Sequence, residues 1–290
     1  MPFINKLKNF QKIYIIIITS LLFLNTIFIL KLHAVSFKVS EIEISENFDL
    51  NFTKEKVFDK AFKAAFDELI SMVTTSIDKK KINNINLLTI KSLIDSFNVS
   101  DEKFINNKYY ANFNVNFNKK NTLKFFEKKN IFPSIPKKLD ILLISILINT
   151  NTNKLIIYNE NPIYKNWNDN FKNFHLLNYV LLNEDIENRY ILNQNLNSIE
   201  DFDFKDIIKK YDLNNFIINI IYKDANKIKV LSKIKLNNDF KIINQSYSSI
   251  DLNDQASLNA LIENLKTTYE DYWKKINRIN TSIKLPITVF

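Results

Sequence analysis

The chain has no glycine and no cysteine, and only two histidines in 290 residues. Each absence excludes some chemistry. Phosphate-cradling loops and dinucleotide fingerprints need glycine so that backbone can approach the ligand. The nucleophile elbow needs it for a strained turn. Positions with φ > 0 must fall to asparagine, which tolerates the left-handed region better than most residues. Asn106-Asn107 and Asn237-Asn238 stand where hairpin turns are expected. Without cysteine there is no disulfide, no thiolate nucleophile and no Cys-based metal site. His33 and His175 lack acid ligands at motif spacing, so neither a metal nor a cofactor is expected.

What is abundant is lysine, asparagine and isoleucine, which together make roughly 44% of the chain. All three have AT-rich codons, so much of this bias reflects base composition. The formal net charge is +9, almost all of the cations being lysines; Arg189 and Arg278 are the only arginines. The lysines are scattered and usually sit beside asparagine or an acid. A nucleic-acid partner would need basic residues gathered on one face with interleaved aromatics, so none is expected. The chain is 46% hydrophobic and 13% aromatic, sufficient for a core without cross-links.

Ile13–Leu30 is an uncharged run preceded by Lys6, Lys8 and Lys12 and followed by Lys31. As a helix it spans roughly 27 Å, close to a hydrocarbon core of ~30 Å. The basic flank predicts a cytoplasmic N-terminus, with the rest of the chain exported. Two forms stay open. The run is a retained single-pass inner-membrane anchor, or a signal peptide cleaved after Ala34 that leaves a periplasmic protein. Either way, residues 1–34 form the cytoplasmic flank and membrane segment, and the membrane is one expected partner.

Downstream, the patterning predicts α+β architecture in two modules. Residues 35–132 read β-α-α-β-β-α. A strand at Phe37–Ile44 changes phase midway, and Thr53 caps a helix over Lys54–Val73. A second helix covers Leu87–Asp95. A hairpin runs from Phe97 through Asn106-Asn107 to Phe117, where Ala111, Phe113, Val115 and Phe117 alternate with asparagines. A helix over Thr122–Lys129 follows. Residues 133–138, with two prolines, read as a linker. Residues 139–279 read as a mixed-sheet module. Its strands are Leu139–Ile148, Leu176–Leu182, Asn215–Tyr222, Lys227–Leu236 and Phe240–Ser248. Helices are expected after Pro162 and over Asp203–Tyr211, with a long last helix from Asp254 to Asn277. Residues 280–290 read as an apolar, strand-like tail.

Four stretches resemble an uncharacterised proteobacterial family of exported envelope proteins, domain-of-unknown-function family twenty-sixty-six. They are the Phe37-Lys38-Val39…Ile42 strand, the helix with Ala61, Ala64, Ala65 and Leu69, the Tyr109–Phe117 hairpin strand, and Asn161-Pro162…Trp167 with Asp185–Arg189. Ile163 and Asn188 depart from the family's Trp and Asp, and its glycines are missing. The resemblance implies an envelope location and no assigned activity.

The expected role is therefore a non-catalytic binding or assembly module facing the periplasm, with another envelope protein as partner. The alternative is a hydrolase or sugar-binding protein in which Asp185 and Glu187 work beside Trp167. Trp167, Asp185, Glu187 and Arg189 are the candidate binding residues. Acids following a strand end read as a solvated loop or as a pair suited to acid–base work. Trp167, with Tyr164 and Phe171 at helical spacing, reads as core packing or as part of an aromatic-lined groove, and Arg189 can pair with Glu187.

Overall fold

The computed structural model describes residues 37–169, 171–225 and 227–279. The expected membrane segment, 1–34, and the tail, 280–290, lie outside these. Among the described residues no helix is long and apolar enough to cross a membrane. They form a mixed α+β structure of eight helices and two sheets, one of them mixed.

The first sheet has three antiparallel strands in the order β1-β3-β2: β1 (Phe37–Asn47), β2 (Ile94–Ile105) and β3 (Lys108–Phe117). Helix α1 (Lys54–Val73) packs on one face. Thr53 caps it, its hydroxyl accepting from the Lys56 amide at 3.3 Å. Ala61 and Ala65 are fully buried on α1, so their small side chains let the helix lie close to the sheet. Two shorter helices follow, α2 (Ser76–Lys79) and α3 (Leu87–Leu93), and α4 (Lys119–Lys128) closes the unit.

The phase change in β1 is a bulge. Register shifts between Val39 and Ile42, and Glu41 takes φ 62°. A second bulge interrupts β2 between Ser100 and Lys103, with Asp101 at φ 52°. At the hairpin tip both Asn106 and Asn107 have positive φ, 52° and 56°, as a two-residue turn matched to strand twist requires. Asparagine and aspartate thus occupy positions where most sequences place glycine.

The second sheet is built on β4 (Leu139–Asn149). On one side β4 pairs in parallel with β7 (Phe216–Asp224), which continues antiparallel into β8 (Lys227–Leu236) and β9 (Asp239–Tyr247). On the other side β4 has two short partners, β5 (Lys154–Ile156) and β6 (Leu177–Leu181). Between them Asn161 fills the gap. Its amide donates to the Ser145 carbonyl at 3.2 Å, while its Oδ1 accepts from the Ile163 amide at 3.0 Å and caps α5 (Pro162–Lys165).

Both faces of β4 are buried, so it reads as a continuous apolar run. Helix α8 (Gln255–Ile276) covers one face through Leu258, Leu261, Ile262, Leu265, Tyr269 and Trp273. The other face is covered over β4 and β7 by α6 (Ile186–Gln194), α7 (Lys205–Lys209) and the turns beside them, which contribute Tyr158, Leu192, Ile199, Phe204 and Ile207.

The proline segment is tied at both ends. Ser134 N–H donates to the Val73 carbonyl at 2.7 Å and Ile135 N–H to that of Asn277 at 2.9 Å. Trp273 Nε1 donates to the Lys137 carbonyl at 2.8 Å. Helices α1 and α8 meet nearby. Lys274 Nζ donates to the Ser71 carbonyl at 2.6 Å, and Asp271 accepts from both the amide and the hydroxyl of Ser76 at 2.8 and 2.5 Å. The described residues consequently form one compact unit containing both sheets.

Candidate interaction surface

The four sequence-predicted site residues fall on opposite faces of the larger sheet. Trp167 is fully buried on the α8 face. It packs edge-on to Tyr179 at 5.3 Å and stacks on Tyr269 at 6.3 Å, with the Lys266 ammonium 5.9 Å from its ring. Asp185, Glu187 and Arg189 belong to the start of α6, beside Tyr158 and Leu192 of the other face. The expected convergence of Asp185 and Glu187 with Trp167 on one pocket does not occur, because the sheet separates them.

Asp185 is the N-cap of α6, its Oδ1 accepting from the Glu187 and Asn188 amides at 2.8 and 3.3 Å. Lys210 Nζ donates to Asp185 Oδ2 at 2.8 Å, Glu187 Oε2 at 3.2 Å and the side-chain Oδ1 of Asn188 at 3.0 Å. The Lys210 hydrogen bond holds the Asp185 carboxyl below its ordinary range, and Asp185 in turn raises Lys210. Arg189 pairs with Glu160 at 2.8 Å, not with Glu187, and lies 5.5 Å over the Tyr158 ring. This is a capped helix start whose carboxylates already have partners, not a pair of acids open to a substrate. Apolar periodicity predicts no helix over this segment, because α6 has no broad apolar stripe. Ile186 and Tyr190 are exposed, and only Asn188 and Leu192 are buried. The signal for the helix was present in an Asp N-cap followed by an acid in the first turn.

The α8 face contains polar groups that patterning did not single out. Tyr269 donates to Asn219 Oδ1 at 2.8 Å and shares a 2.8 Å hydrogen bond with Ser232, all three being fully buried. Glu270, buried, accepts from the Leu176 and Leu177 amides at 2.9 and 2.8 Å and so anchors the start of β6. Burial raises its carboxyl. His175 sits at the same junction, and burial pushes its imidazole down to about 4, with the Lys266 ammonium adding to the effect. Among the described residues, no group of three or more His, Asp or Glu side chains is placed to hold a metal ion.

The open surface lies on the opposite face. Helices cover β4 and β7 there but leave β8 and β9 uncovered. Phe240 and Ile242 of β9 are 59% and 52% exposed, and they stand opposite Lys235 and Lys233 of β8. A groove of about 340 Å³ runs between this surface and α7. Phe202, Phe204, Ile208, Leu213, Phe216 and Phe240 form its apolar walls, with Lys205, Lys209, Lys233 and Lys235 around it and Asp203 the one lining carboxylate. Lys235 Nζ lies 5.9 Å from the Phe216 ring, and Lys233 donates to the Glu200 carbonyl oxygen. The lysines that look scattered in sequence are gathered here by strand alternation and by the turn into α7.

Strand β9 is also the sheet's outer edge. It pairs with β8 over nine positions without a register shift and contains no proline. Its far side has no strand partner among the described residues.

No family model and no curated protein matches this chain. The interaction surface therefore stands on its own geometry.

Proposed function

We propose that this chain is an exported, periplasm-facing envelope protein that binds another envelope component through β9 and the groove beside it. The run at Ile13–Leu30 with its basic flank supports the location, as an anchor or as a signal cleaved after Ala34. The resemblance to domain-of-unknown-function family twenty-sixty-six points to the same compartment. The observation that supports the binding role is the unbroken edge of β9, without a strand partner among the described residues, beside exposed Phe240 and Ile242. Soluble proteins usually blunt such an edge, because its unpaired N–H and C=O groups are a template for another chain.

Photo-crosslinking in native envelopes tests this. A benzoyl-phenylalanine replacing Asn244 on β9 is expected to give one reproducible adduct, and the same probe replacing Lys128 on α4 to give none. Equal adducts from both positions, or none from either, sink the proposed role. N-terminal sequencing of the mature protein separates the two membrane forms. A start at Val35 shows cleavage, and an intact basic flank shows an anchor.

A further inference from the structure

We infer that the partner presents an extended acidic segment, which adds to β9 as a further strand and lays apolar and acidic side chains over the groove. This rests on the binding role proposed above and specifies the partner's chemistry.

Three observations point the same way. Strand β9 offers a straight row of backbone donors and acceptors that another polypeptide can saturate in register, as in strand addition to a sheet edge. An added strand would lie about 4.8 Å beyond β9, so its side chains on the groove side would meet Phe240 and Ile242 first. Beyond these two stand lysines. Lys205 and Lys209 are paired with Asp203 and Asp206, but Lys229 and Lys235 make no ion pair among the described residues. The groove-side neighbours of an incoming strand are therefore apolar nearest the edge and cationic further in, which favours acidic residues among apolar ones.

The same charge disfavours a second copy of this chain. Pairing β9 with β9 would bring two lysine-rimmed grooves together. A lipid surface fits less well, since a concave groove and a linear row of amides have no counterpart in a headgroup layer.

The test uses the full chain in detergent and a labelled peptide alternating Glu with Ile, about as long as β9. Binding is expected, with slowed amide exchange at Asp239–Tyr247. Both N-methylation of alternate peptide amides and the K233E/K235E double variant are expected to weaken binding on the order of tenfold. The inference is overturned if there is no binding at about 1 mM peptide. It is equally overturned if a Lys-for-Glu peptide binds as well, or if N-methylation has no effect. Phosphatidylglycerol vesicles or poly-glutamate binding as tightly as the peptide, with exchange in β9 unchanged, would assign the lysines to general anion attraction and overturn it too. If the Asn244 crosslink persists while the peptide fails, the surface still binds a partner and only its assigned chemistry is wrong.

Discussion

The three-stranded sheet leaves two edges, β1 and β2, and each is interrupted by a bulge, at Glu41 and at Asp101. The outer strand of the larger sheet, β9, runs nine residues without one. A bulge breaks the row of unpaired backbone groups and adds local twist, so a straight foreign strand cannot follow it. The exposed aromatics differ in their neighbours. Near the first sheet's hairpin tip Phe48 and Phe104, about as exposed as Phe240, meet edge-on at 5.0 Å and pack against Phe52 and the buried Tyr109 at 4.9–5.3 Å. Phe240 and Ile242 lie open beside a groove. One sheet breaks both its edges with bulges, and the other keeps a straight edge that has no strand partner among the described residues.

The largest expected effect concerns whether the two sheets can be treated separately at all. Trp273 is buried in the larger sheet's core and bonds the proline segment leading from the smaller one. Trp273→Ala should lower stability by ~3–5 kcal/mol. A single urea transition is expected, and two separated transitions would show that the sheets unfold independently. Asp271→Ala removes the acceptor of two Ser76 hydrogen bonds where α2 meets α8. It should cost about 2 kcal/mol in the same experiment, and a cost near zero would deny that this contact couples the sheets.

His175 gives a pH test confined to the larger sheet. Its folded pKa, about 4, lies below the ordinary 6.5, so the unfolded chain takes up a proton first as pH falls. Stability should be full above pH 6.5 and decline toward pH 4, by about 1 kcal/mol after allowance for partial solvent screening. His175→Gln should make that decline shallower, and an unchanged slope would assign it to other groups. The smallest effect is at the β1 bulge. Glu41→Gly relieves a left-handed non-glycine residue but adds chain entropy to the unfolded state. A net gain of ~0.5–1 kcal/mol in thermal unfolding is expected, with the bulge retained. A loss would mean that the Glu41 side chain holds the bulge.

Much of the fold was legible residue by residue. The alternation in Tyr109–Phe117 marked β3. The phase change after Val39 recorded the β1 bulge, and the spacing from Leu258 to Trp273 marked α8. The paired asparagines Asn106-Asn107 marked a turn that needs two left-handed residues. Helix α6 was missed because its apolar face is narrow. Trp167 is buried, as its helical spacing with Tyr164 and Phe171 suggests, but sequence cannot tell which face of a sheet a turn residue will meet, so its separation from Asp185 and Glu187 was not legible. The groove was legible only in part. Lys229, Lys233 and Lys235 fall on one side of β8 by period-two alternation, but nothing local indicates that helices stop short of covering that side.

Composition and pattern alone determined that this chain has no glycine-dependent phosphate loop and no disulfide, and that its left-handed turns fall largely to asparagine. They also determined most strands and helices, because local periodicity and capping are properties of neighbouring residues. Tertiary structure decided which edge is bulged and which is open. It also placed Trp167 and Asp185 on opposite sides of a sheet and gathered distant lysines around one groove. Those outcomes depend on strand order and helix placement, which arise from contacts between residues far apart in the chain and leave no periodic trace within it.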